Sequence, residues 1–351
     1  MTPPTVTQIL EDAVRARAFP AAVVEVGRSH GVLYREPVGA LTYDAGAAPT
    51  TDDTIFDLAS LTKVLATTPL VMQLVERGQL GLDDPVANHV PAWRGDDRAA
   101  VTIRDLLAHC SGLPAWQPYY QRLHGVGVFE AAIASEPLAY RPRERSVYSD
   151  LGFMLLGAVL GRDVPLDDRF VALLRQMGVA EEIQFRPPSL WKHRTAPTEH
   201  DPWRGRWLIG EVHDENAWAL DGVAGHAGLF GTAGAVGSCA RHLLQVLDGR
   251  RGAFGVETAR TFVRRWTDVP GSSRALGWDT MLPTSSCGTR LSSDAFGHTG
   301  FTGTSLWIDP ARDLYVVLLT NRVHPTREND RIGGVRRAVH DAVVADVEMR
   351  R

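Results

Sequence analysis

Lysine is almost absent from this sequence of 351 residues. Of its 37 basic residues only Lys63 and Lys192 are lysines, and all the others are arginines. A codon bias toward arginine accounts for such a composition. A lysine inside a protein can nevertheless lose its proton, whereas an arginine cannot. Each remaining lysine is therefore a candidate for a chemical role.

Cysteine and net charge are also scarce. The three cysteines, Cys110, Cys239 and Cys287, are widely spaced and odd in number, which argues against a disulfide framework and a zinc site. The formal net charge of -4 leaves no basic field for a nucleic-acid backbone. No apolar run approaches the roughly 20 residues that a membrane-spanning helix needs. The sequence is therefore that of a globular protein with a sizeable core, since 44% of its residues are hydrophobic.

Two further absences concern location and metals. The first residues, MTPPTVTQILEDAV, contain neither the basic nor the apolar region of a secretory signal. We therefore expect a cytoplasmic protein, or a periplasmic or secreted one if the sequence has been trimmed. His193, His200, His213 and His226 lie among acidic residues but lack the tight spacing of a metal-binding motif. No metal and no other cofactor is expected, and the oligomeric state is left open.

The hydrophobic pattern places strands near both ends of the chain and helices between them. The segment 186–220 carries four prolines and four tryptophans and is predicted to be irregular, with aromatics that line a substrate cleft or pack a long loop. Strands are predicted at 20–28 and 32–38, around a turn at Ser29–Gly31, and at 304–309 and 313–320. Helices are predicted at 5–17, 60–80 with a kink at Pro69, 102–107, 151–160, 235–247 and about 329–348.

This order of elements predicts the α+β fold class. Strands from both termini are expected to form one antiparallel sheet, built from residues 1–60 and 221–351. Residues 61–220 are expected to form a mostly helical domain. No linker of disordered composition separates the two parts, so we expect the active site at their interface.

The first candidate for chemistry is Ser60-Leu61-Thr62-Lys63. Ser60 and Lys63 are three residues apart at the start of an apolar helix, so their side chains can touch. A serine hydroxyl becomes a nucleophile when a base takes its proton, and a lysine whose pKa is lowered can be that base. The free N–H groups of a helix start also suit an oxyanion. The alternative is a capping serine followed by a surface lysine, but the shortage of lysine favours chemistry.

The second candidate is Tyr148-Ser149-Asp150, in a turn before the helix at 151–160. A turn at a helix start can direct side chains into a cleft. A nearby ammonium lowers the pKa of a tyrosine, which could then relay protons with Lys63. The alternative is a half-buried tyrosine followed by a helix-capping aspartate.

The third candidate is His298-Thr299-Gly300, at the start of the last hairpin. Gly297, Gly300 and Gly303 leave this strand without side chains, so the backbone of a ligand could lie beside it. The alternative is a glycine-rich edge strand that binds nothing.

Two other patterns are interpreted as structural. Gly27-Arg28-Ser29-His30-Gly31 matches the nucleophile elbow of α/β-hydrolases, which requires a strand before it and a helix after it. A strand follows instead, so we predict a hairpin turn. His109 and His226 flank glycine-bearing turns and are interpreted as structural hydrogen-bond formers.

Together, the Ser-x-x-Lys, Tyr-Ser-Asp and His-Thr-Gly motifs resemble those of the penicillin-recognising serine hydrolases. The stretches TIRDLLAHCSGLP (102–114), VHDENAWALDGVAGHAGLF (212–230), ALGWD (275–279) and GHTGFTGTSLWIDPARDLYVVLLTNRVHP (297–325) are similar to the branch of class C β-lactamases, DD-carboxypeptidases and family VIII esterases. The resemblance runs from about residue 18 to the C-terminus. It implies a β-lactamase/transpeptidase-like fold, with an antiparallel sheet flanked by the terminal helices and a second, helical domain.

The same resemblance implies a role for each motif residue. Ser60 would be acylated, Lys63 would be its proton partner, and Tyr148 would be the base or relay. The backbone N–H groups of Ser60 and Phe301 would form the oxyanion hole. The substrate would be contacted by Asp150, His298, Thr299 and Gly300.

Two positions depart from the family pattern. Asp150 stands where the family often has asparagine, and an ionised aspartate only accepts hydrogen bonds. It can instead pair with the Lys63 ammonium, which would raise the pKa of Lys63 and favour Tyr148 as the base. His298 stands where the family often has lysine, and a neutral histidine holds a substrate carboxylate weakly. Both departures weaken the case for an efficient β-lactamase.

The leading hypothesis is a metal-independent serine hydrolase that forms an acyl-enzyme with carboxylic esters or D-alanyl-type amides, with weak hydrolysis of β-lactams. The expected partner is thus a small-molecule ester, peptide or β-lactam. One alternative is a non-catalytic penicillin-binding or ligand-binding module on the same scaffold, against which the intact Ser60, Lys63 and Tyr148 argue. The other is a true class C-like β-lactamase, against which Asp150 and His298 argue.

Overall fold

Strands from the two ends of the chain lie side by side in an antiparallel sheet. The computed structural model describes residues 5–349. Its strands are β1 (Ala21–Arg28), β2 (Gly31–Gly39), β3 (Phe56–Asp57), β4 (Ile183–Phe185), β5 (His200–Asp201), β6 (Arg206–Trp207), β7 (Leu229–Gly231), β8 (Asp279–Thr280), β9 (Phe296–Thr299), β10 (Ser305–Asp309) and β11 (Leu314–Thr320). Over the described residues, the main sheet has six strands in the order β2-β1-β11-β10-β9-β8, with all neighbours antiparallel. Smaller sheets have the orders β3-β7-β4 and β5-β6.

Helices fill most of the middle of the chain and both of its ends. They are α1 (Val6–Arg15), α2 (Thr68–Glu76), α3 (Val86–His89), α4 (Ile103–Leu107), α5 (Val126–Ser135), α6 (Asp150–Leu160), α7 (Leu166–Met177), α8 (Glu215–Ala219), α9 (Ala233–Leu247), α10 (Val256–Val263) and α11 (Ile332–Met349). The predicted α+β fold with an antiparallel sheet drawn from both ends is confirmed. Within residues 5–349, no helix is both long enough and apolar enough to cross a membrane. The division into 1–60 with 221–351 and 61–220 stays a prediction.

Helices cover both faces of the main sheet. On one face, Ala22, Val24 and Val26 of β1 belong to the same apolar cluster as the buried residues of α1 and α11. On the other face, Ala21 and Val23 belong to the cluster that contains the buried residues of α9. Because successive side chains of a strand point to opposite faces, a strand covered on both sides is apolar almost throughout. The predicted flanking of the sheet by the terminal helices is therefore confirmed.

The helix predicted at 60–80 is interrupted and shorter than expected. Residues Lys63–Thr67 form a π-helical turn, and α2 follows and ends at Glu76. Pro69 has no N–H to donate to the carbonyl four residues earlier, so the regular helical bonds fail just before it. Gly78, with a φ of 65°, then turns the chain away. The predicted kink is thus a π turn that begins at Lys63 itself.

The other predicted elements are confirmed with shifts of a few residues. Helices occur over 102–107, 151–160 and 235–247, and α4 begins with a capping box between Thr102 and Asp105. The segment 186–220 contains short elements and long irregular stretches, as predicted. Ser29 lies in the turn between β1 and β2 and a strand follows it, so the hairpin interpretation is also confirmed.

Candidate active site

Ser60 lies in a strained turn between β3 and the first helical residues. The residue before it, Ala59, has a φ of 46°, which is unusual for a residue with a side chain. The buried Asp57 holds this turn, because its Oδ1 accepts the Ala59 N–H at 2.8 Å. Thr302, beyond β9, donates to the Asp57 carbonyl at 2.7 Å. The serine is therefore fixed against the turn that follows β9.

Lys63 is fully buried, and its ammonium group has three acceptors. Nζ donates to Ser60 Oγ at 3.0 Å, to Asp150 Oδ1 at 2.7 Å and to the His226 carbonyl at 3.0 Å. The predicted contact with Ser60 is therefore present, and the alternative of a surface lysine is wrong. The pairing with Asp150 that the sequence left open is also present.

Asp150 determines the charge of Lys63. Burial lowers the pKa of the Lys63 ammonium, but the Asp150 carboxylate and the nearby Tyr148 raise it by more. The net pKa of Lys63 is raised, so it is protonated at neutral pH. The lowered pKa that would make Lys63 a base in the resting protein does not occur, because the carboxylate favours the charged form.

Tyr148 lies against Lys63 and has a buried hydroxyl. Its ring is 4.9 Å from Lys63 Nζ and its centroid is 4.7 Å from that of His109. Its buried hydroxyl interacts with Lys63 and Ser60, but no contact within residues 5–349 has the distance and angles of a full hydrogen bond. Burial raises the pKa of Tyr148 more than the Lys63 ammonium lowers it. The expectation of a lowered tyrosine pKa is therefore wrong, because desolvation of the phenolate outweighs the neighbouring charge.

His298 and Thr299 end β9 on the opposite wall. The ring of His298 is buried, and its Nδ1 lies 2.8 Å from the Thr299 carbonyl, to which it donates. Burial, with Lys63 and Arg274 nearby, holds the pKa of His298 well below its usual value. The imidazole is therefore neutral at pH 7, as expected from the sequence for a histidine at this position.

Gly300 allows the backbone near Leu58 to pack closely against the turn that follows β9. A Cβ atom there would collide with Thr304 Oγ1 and lie 2.8 Å from the Leu58 carbonyl oxygen. The missing side chain therefore makes room for the turn that carries Ser60. Gly297 is similar, since a Cβ would meet Trp307. Gly300 itself lines the cavity together with Thr299, so the placement of a ligand backbone beside this strand stays a prediction.

The three motifs line one cavity of about 310 Å³. Its walls include Ser60, Tyr148, Thr299 and Phe301, so the turn at β3, the start of α6 and the end of β9 converge. Among the described residues, the N–H groups of Ser60 and Phe301 donate to no acceptor. They are therefore available to a bound oxyanion, as the predicted oxyanion hole requires.

The family comparison agrees with this arrangement. Residues 6–340 match the family model described as Beta-lactamase. The chain belongs to the Beta-lactamase family. The resemblance drawn from the three motifs is therefore confirmed.

Relatives of this Beta-lactamase family member carry carboxypeptidase names. A proposed D-alanyl-D-alanine carboxypeptidase of Escherichia coli strain K12 is 31% identical over 87% of this chain and 79% of that protein. A relative with the same designation from Salmonella gallinarum is 32% identical over 328 residues, covering 80% and 72%. These names, with the family, indicate a hydrolase of the β-lactamase/transpeptidase type.

Solved structures show the same fold. EstCE1, a hydrolase with promiscuous acyltransferase activity, superposes with a TM-score of 0.77 at 22% identity and 97% coverage of both chains. The octameric penicillin-binding protein homologue from Pyrococcus abyssi superposes with a TM-score of 0.75 at 19% identity, covering 97% of this chain and 77% of that one. The β-lactamase/transpeptidase-like fold class is confirmed.

Three arginines that no sequence motif indicated also line the cavity: Arg274, Arg322 and Arg336. The Arg274 guanidinium lies 5.2 Å from the Tyr148 ring centroid and makes no hydrogen bond or ion pair within residues 5–349. Arg336 is buried and donates to the carbonyls of Gly300 and Thr304 at 2.8 and 2.7 Å. Nothing in the sequence singles out these three among so many arginines, although Arg274 directly precedes the ALGWD stretch.

The histidines considered as metal ligands lie in separate interactions. Nδ1 of His193 is 2.8 Å from the Leu190 carbonyl, Nε2 of His226 is 2.8 Å from Asp214, and His200 packs edge-on against Trp207. In the part of the chain that the structure describes, no three His, Cys, Asp or Glu side chains are placed to hold a metal ion.

The histidines interpreted as structural do form hydrogen bonds. Nδ1 of His109 accepts the Ser149 N–H at 3.0 Å, which orients the turn that carries Tyr148. The ring of His226 contacts Asp214, and its carbonyl is an acceptor for Lys63. Both therefore support the site from outside the cavity.

Gly225→Ala should destabilise the protein. A Cβ at Gly225 would collide with the Phe153 carbonyl oxygen and lie 2.8 Å from Gly157 Cα, so backbone would have to move. We expect the free energy of unfolding, measured by urea denaturation, to fall by about 1–3 kcal/mol. Gly334→Ala is the control, since no atom lies within 4 Å of its Cβ position in α11 and the change should stabilise the helix slightly. Equal stability of both variants would contradict this account.

Proposed function

We propose that this protein is a serine hydrolase that forms an acyl-enzyme on Ser60. The observation that carries the proposal is the position of the buried Lys63 ammonium, which donates to Asp150 and to Oγ of Ser60, and Ser60 lines a cavity together with Tyr148. Burying the charged Lys63 side chain carries a desolvation cost, which a catalytic role for the charge would explain. The non-catalytic alternative gives no reason for this cost.

Tyr148 is proposed as the base. Lys63 and Tyr148 are close enough to titrate as a pair, and losing one proton from the pair creates the basic form. Since Asp150 stabilises the Lys63 ammonium, the proton that leaves is the one on Tyr148. The phenolate then takes the proton of Ser60 as Oγ attacks the carbonyl carbon, and Lys63 stabilises the developing charge.

The N–H groups of Ser60 and Phe301 are proposed to bind the oxyanion of the tetrahedral intermediate. The proton held by Tyr148 then passes to the leaving group, which departs and leaves the acyl group on Ser60. Water then gives a proton to the Tyr148 phenolate as it attacks the acyl carbon. The bond to Ser60 Oγ breaks, Oγ takes the proton back from Tyr148, and the acid is released. No metal is required for any of these steps.

The proposed substrates carry a carboxylate on the leaving group, as D-alanyl-D-alanine peptides do. Arg274 supports this choice, because it lines the cavity and its guanidinium makes no hydrogen bond or ion pair with the described residues. A guanidinium can bind a carboxylate through two parallel hydrogen bonds. The neutral His298 cannot supply that charge, so Arg274 would replace the lysine that the family often has there.

Two matched substrates test the carboxylate. We expect N-acetyl-D-alanyl-D-alanine to be cleaved with a kcat/KM about 10- to 100-fold above that of its C-terminal amide, the value of one or two charged hydrogen bonds. Arg274→Gln should remove most of this preference. Arg337→Gln is the control, because Arg337 lies exposed on α11 and does not line the cavity.

Adding p-nitrophenyl acetate and nitrocefin as substrates separates the proposed serine hydrolase from the proposed recognition of a carboxylate. If the acid and the amide react equally in the wild type, or if Arg274→Gln keeps the preference, the carboxylate proposal fails. If p-nitrophenyl acetate is then the only substrate turned over, the protein is a serine hydrolase of simple esters. Turnover of nitrocefin faster than that of the dipeptide acid and of p-nitrophenyl acetate would favour a true β-lactamase.

A further inference from the structure

Five residues form a closed ring of contacts at one side of the cavity, and two of them, Phe301 and Arg322, line it. We call them the Phe301 clamp: Phe301, His213, Glu199, Arg327 and Arg322. The His213 ring stacks on Phe301 with centroids 5.6 Å apart, and His213 Nε2 lies 2.9 Å from Glu199 Oε1. Arg327 donates to Glu199 from Nε at 2.7 Å and from its backbone N–H at 3.0 Å. Arg322 closes the ring, since it donates to the Arg327 carbonyl at 2.9 Å and to the Phe301 carbonyl at 2.7 Å.

The clamp is built around an exposed residue. Phe301 is 50% exposed, whereas His213 and Glu199 are buried. The Arg322 guanidinium lies 4.4 Å from the Phe301 ring centroid, so this ring contacts both an imidazole and a cation. A half-exposed phenylalanine contributes little apolar burial. The contacts therefore serve to hold Phe301 in place more than to build the core.

The peptide group between Gly300 and Phe301 is held as well. Its carbonyl oxygen, on Gly300, accepts from Arg336 at 2.8 Å. In a trans peptide the N–H points opposite to the carbonyl. The N–H of Phe301 is therefore directed away from Arg336, and its direction depends on both arginines that grip this turn.

His213 also touches the other wall of the site. Its backbone N–H donates to Asp57 Oδ2 at 2.7 Å, and Asp57 Oδ1 accepts the Ala59 N–H at 2.8 Å. One residue thus contacts the turn that carries Ser60 and the turn that carries Phe301. His213 lies in the irregular segment 186–220 and outside the three motifs that carry the candidate catalytic residues.

We propose that His213 is a positioning residue that sets the separation of the Ser60 and Phe301 N–H groups. The irregular segment 186–220 would then serve as the support of the oxyanion hole. This inference rests on the proposed function, in which those two N–H groups bind the oxyanion. A donor acts on a transition state only when it is held at the correct distance, so a loosened clamp lowers kcat more than it weakens substrate binding.

His213→Ala is the principal test, with p-nitrophenyl acetate as substrate. Complete removal of one oxyanion donor costs about 10²- to 10³-fold in kcat, so a misplaced donor should cost about 10- to 100-fold. KM should change much less than kcat. Phenylboronic acid, which forms a tetrahedral adduct on a serine, should bind more weakly by a factor similar to the loss in kcat.

Three further variants make the test specific. His213→Phe keeps a ring against Phe301 and should recover much of the lost kcat. Phe301→Ala keeps the backbone N–H but removes the ring from the clamp, and it should lose kcat as His213→Ala does. Because Phe301 is half-exposed, Phe301→Ala should fold, and it tests the clamp even if His213→Ala does not fold. His193→Ala is the control, since His193 is exposed on the same segment and lies outside the clamp.

The outcomes distinguish this inference from the proposed function. If fluorophosphonate does not phosphonylate Ser60 of the wild type, as judged by mass spectrometry, the proposed function fails. If Ser60 of the wild type is phosphonylated but His213→Ala or Phe301→Ala retains wild-type kcat and boronate affinity, the role of the clamp is overturned. Equal changes in kcat for His213→Ala and His193→Ala would also overturn it.

Discussion

Ser60→Ala should abolish covalent labelling and reduce turnover by a factor of about 10⁴ to 10⁶, the usual cost of removing a catalytic serine. The fold should survive, because Lys63 keeps Asp150 and the His226 carbonyl as acceptors. The measurements are turnover of p-nitrophenyl acetate, the mass of the protein after fluorophosphonate treatment, and thermal unfolding.

Ser29→Ala is the matched control for the nucleophile. Ser29 lies in the other serine motif, but its hydrogen bonds come from its backbone, which contacts Asp313 and Gln245. Its removal should leave both labelling and turnover unchanged. Normal turnover in Ser60→Ala, or an adduct on another residue, would show that the nucleophile assignment is wrong.

Tyr148→Phe should reduce kcat by about 10²- to 10⁴-fold and leave stability unchanged or slightly higher. The lost hydroxyl makes no hydrogen bond of full geometry among the described residues, so its removal costs the folded protein little. The wild-type kcat/KM should also rise with pH in the alkaline range. Since the pKa of Tyr148 is raised, its basic form grows as the pH approaches that value. The Phe variant should lack this rise.

Tyr140→Phe should behave in the opposite way. Tyr140 is also buried, but its hydroxyl donates to the His109 carbonyl at 3.3 Å. Its loss should cost about 1 kcal/mol in the free energy of unfolding and leave kcat close to that of the wild type. A Tyr148→Phe variant that keeps both full kcat and the alkaline rise would rule out Tyr148 as the base.

Much of the fold could be predicted because its signals are local. The apolar run of β1, the turn at Ser29 and the capping box of α4 each depend on neighbouring residues. The π turn at Lys63–Thr67 could not be placed, although Pro69 predicted a disturbance there. Where a broken helix re-forms depends on what it packs against, and that information is not local.

The site was predicted only where a motif carries it. The spacing of Ser60 and Lys63, together with the scarcity of lysine, is enough to indicate that pair. Arg274 and His213 carry no comparable signal, since arginine is abundant and His213 lies among several other histidines. They join the site because distant segments of the chain fold against it.

The sequence by itself determined which chemical groups are available: one serine-lysine pair on a helix, a tyrosine-serine-aspartate turn, and a histidine where a lysine is common. Only the tertiary structure decided the charges of these groups. Asp150 raises the pKa of Lys63 against the effect of burial, while burial raises that of Tyr148 and lowers that of His298. Desolvation and charge interactions depend on distances across the fold, and residue spacing along the chain does not contain those distances.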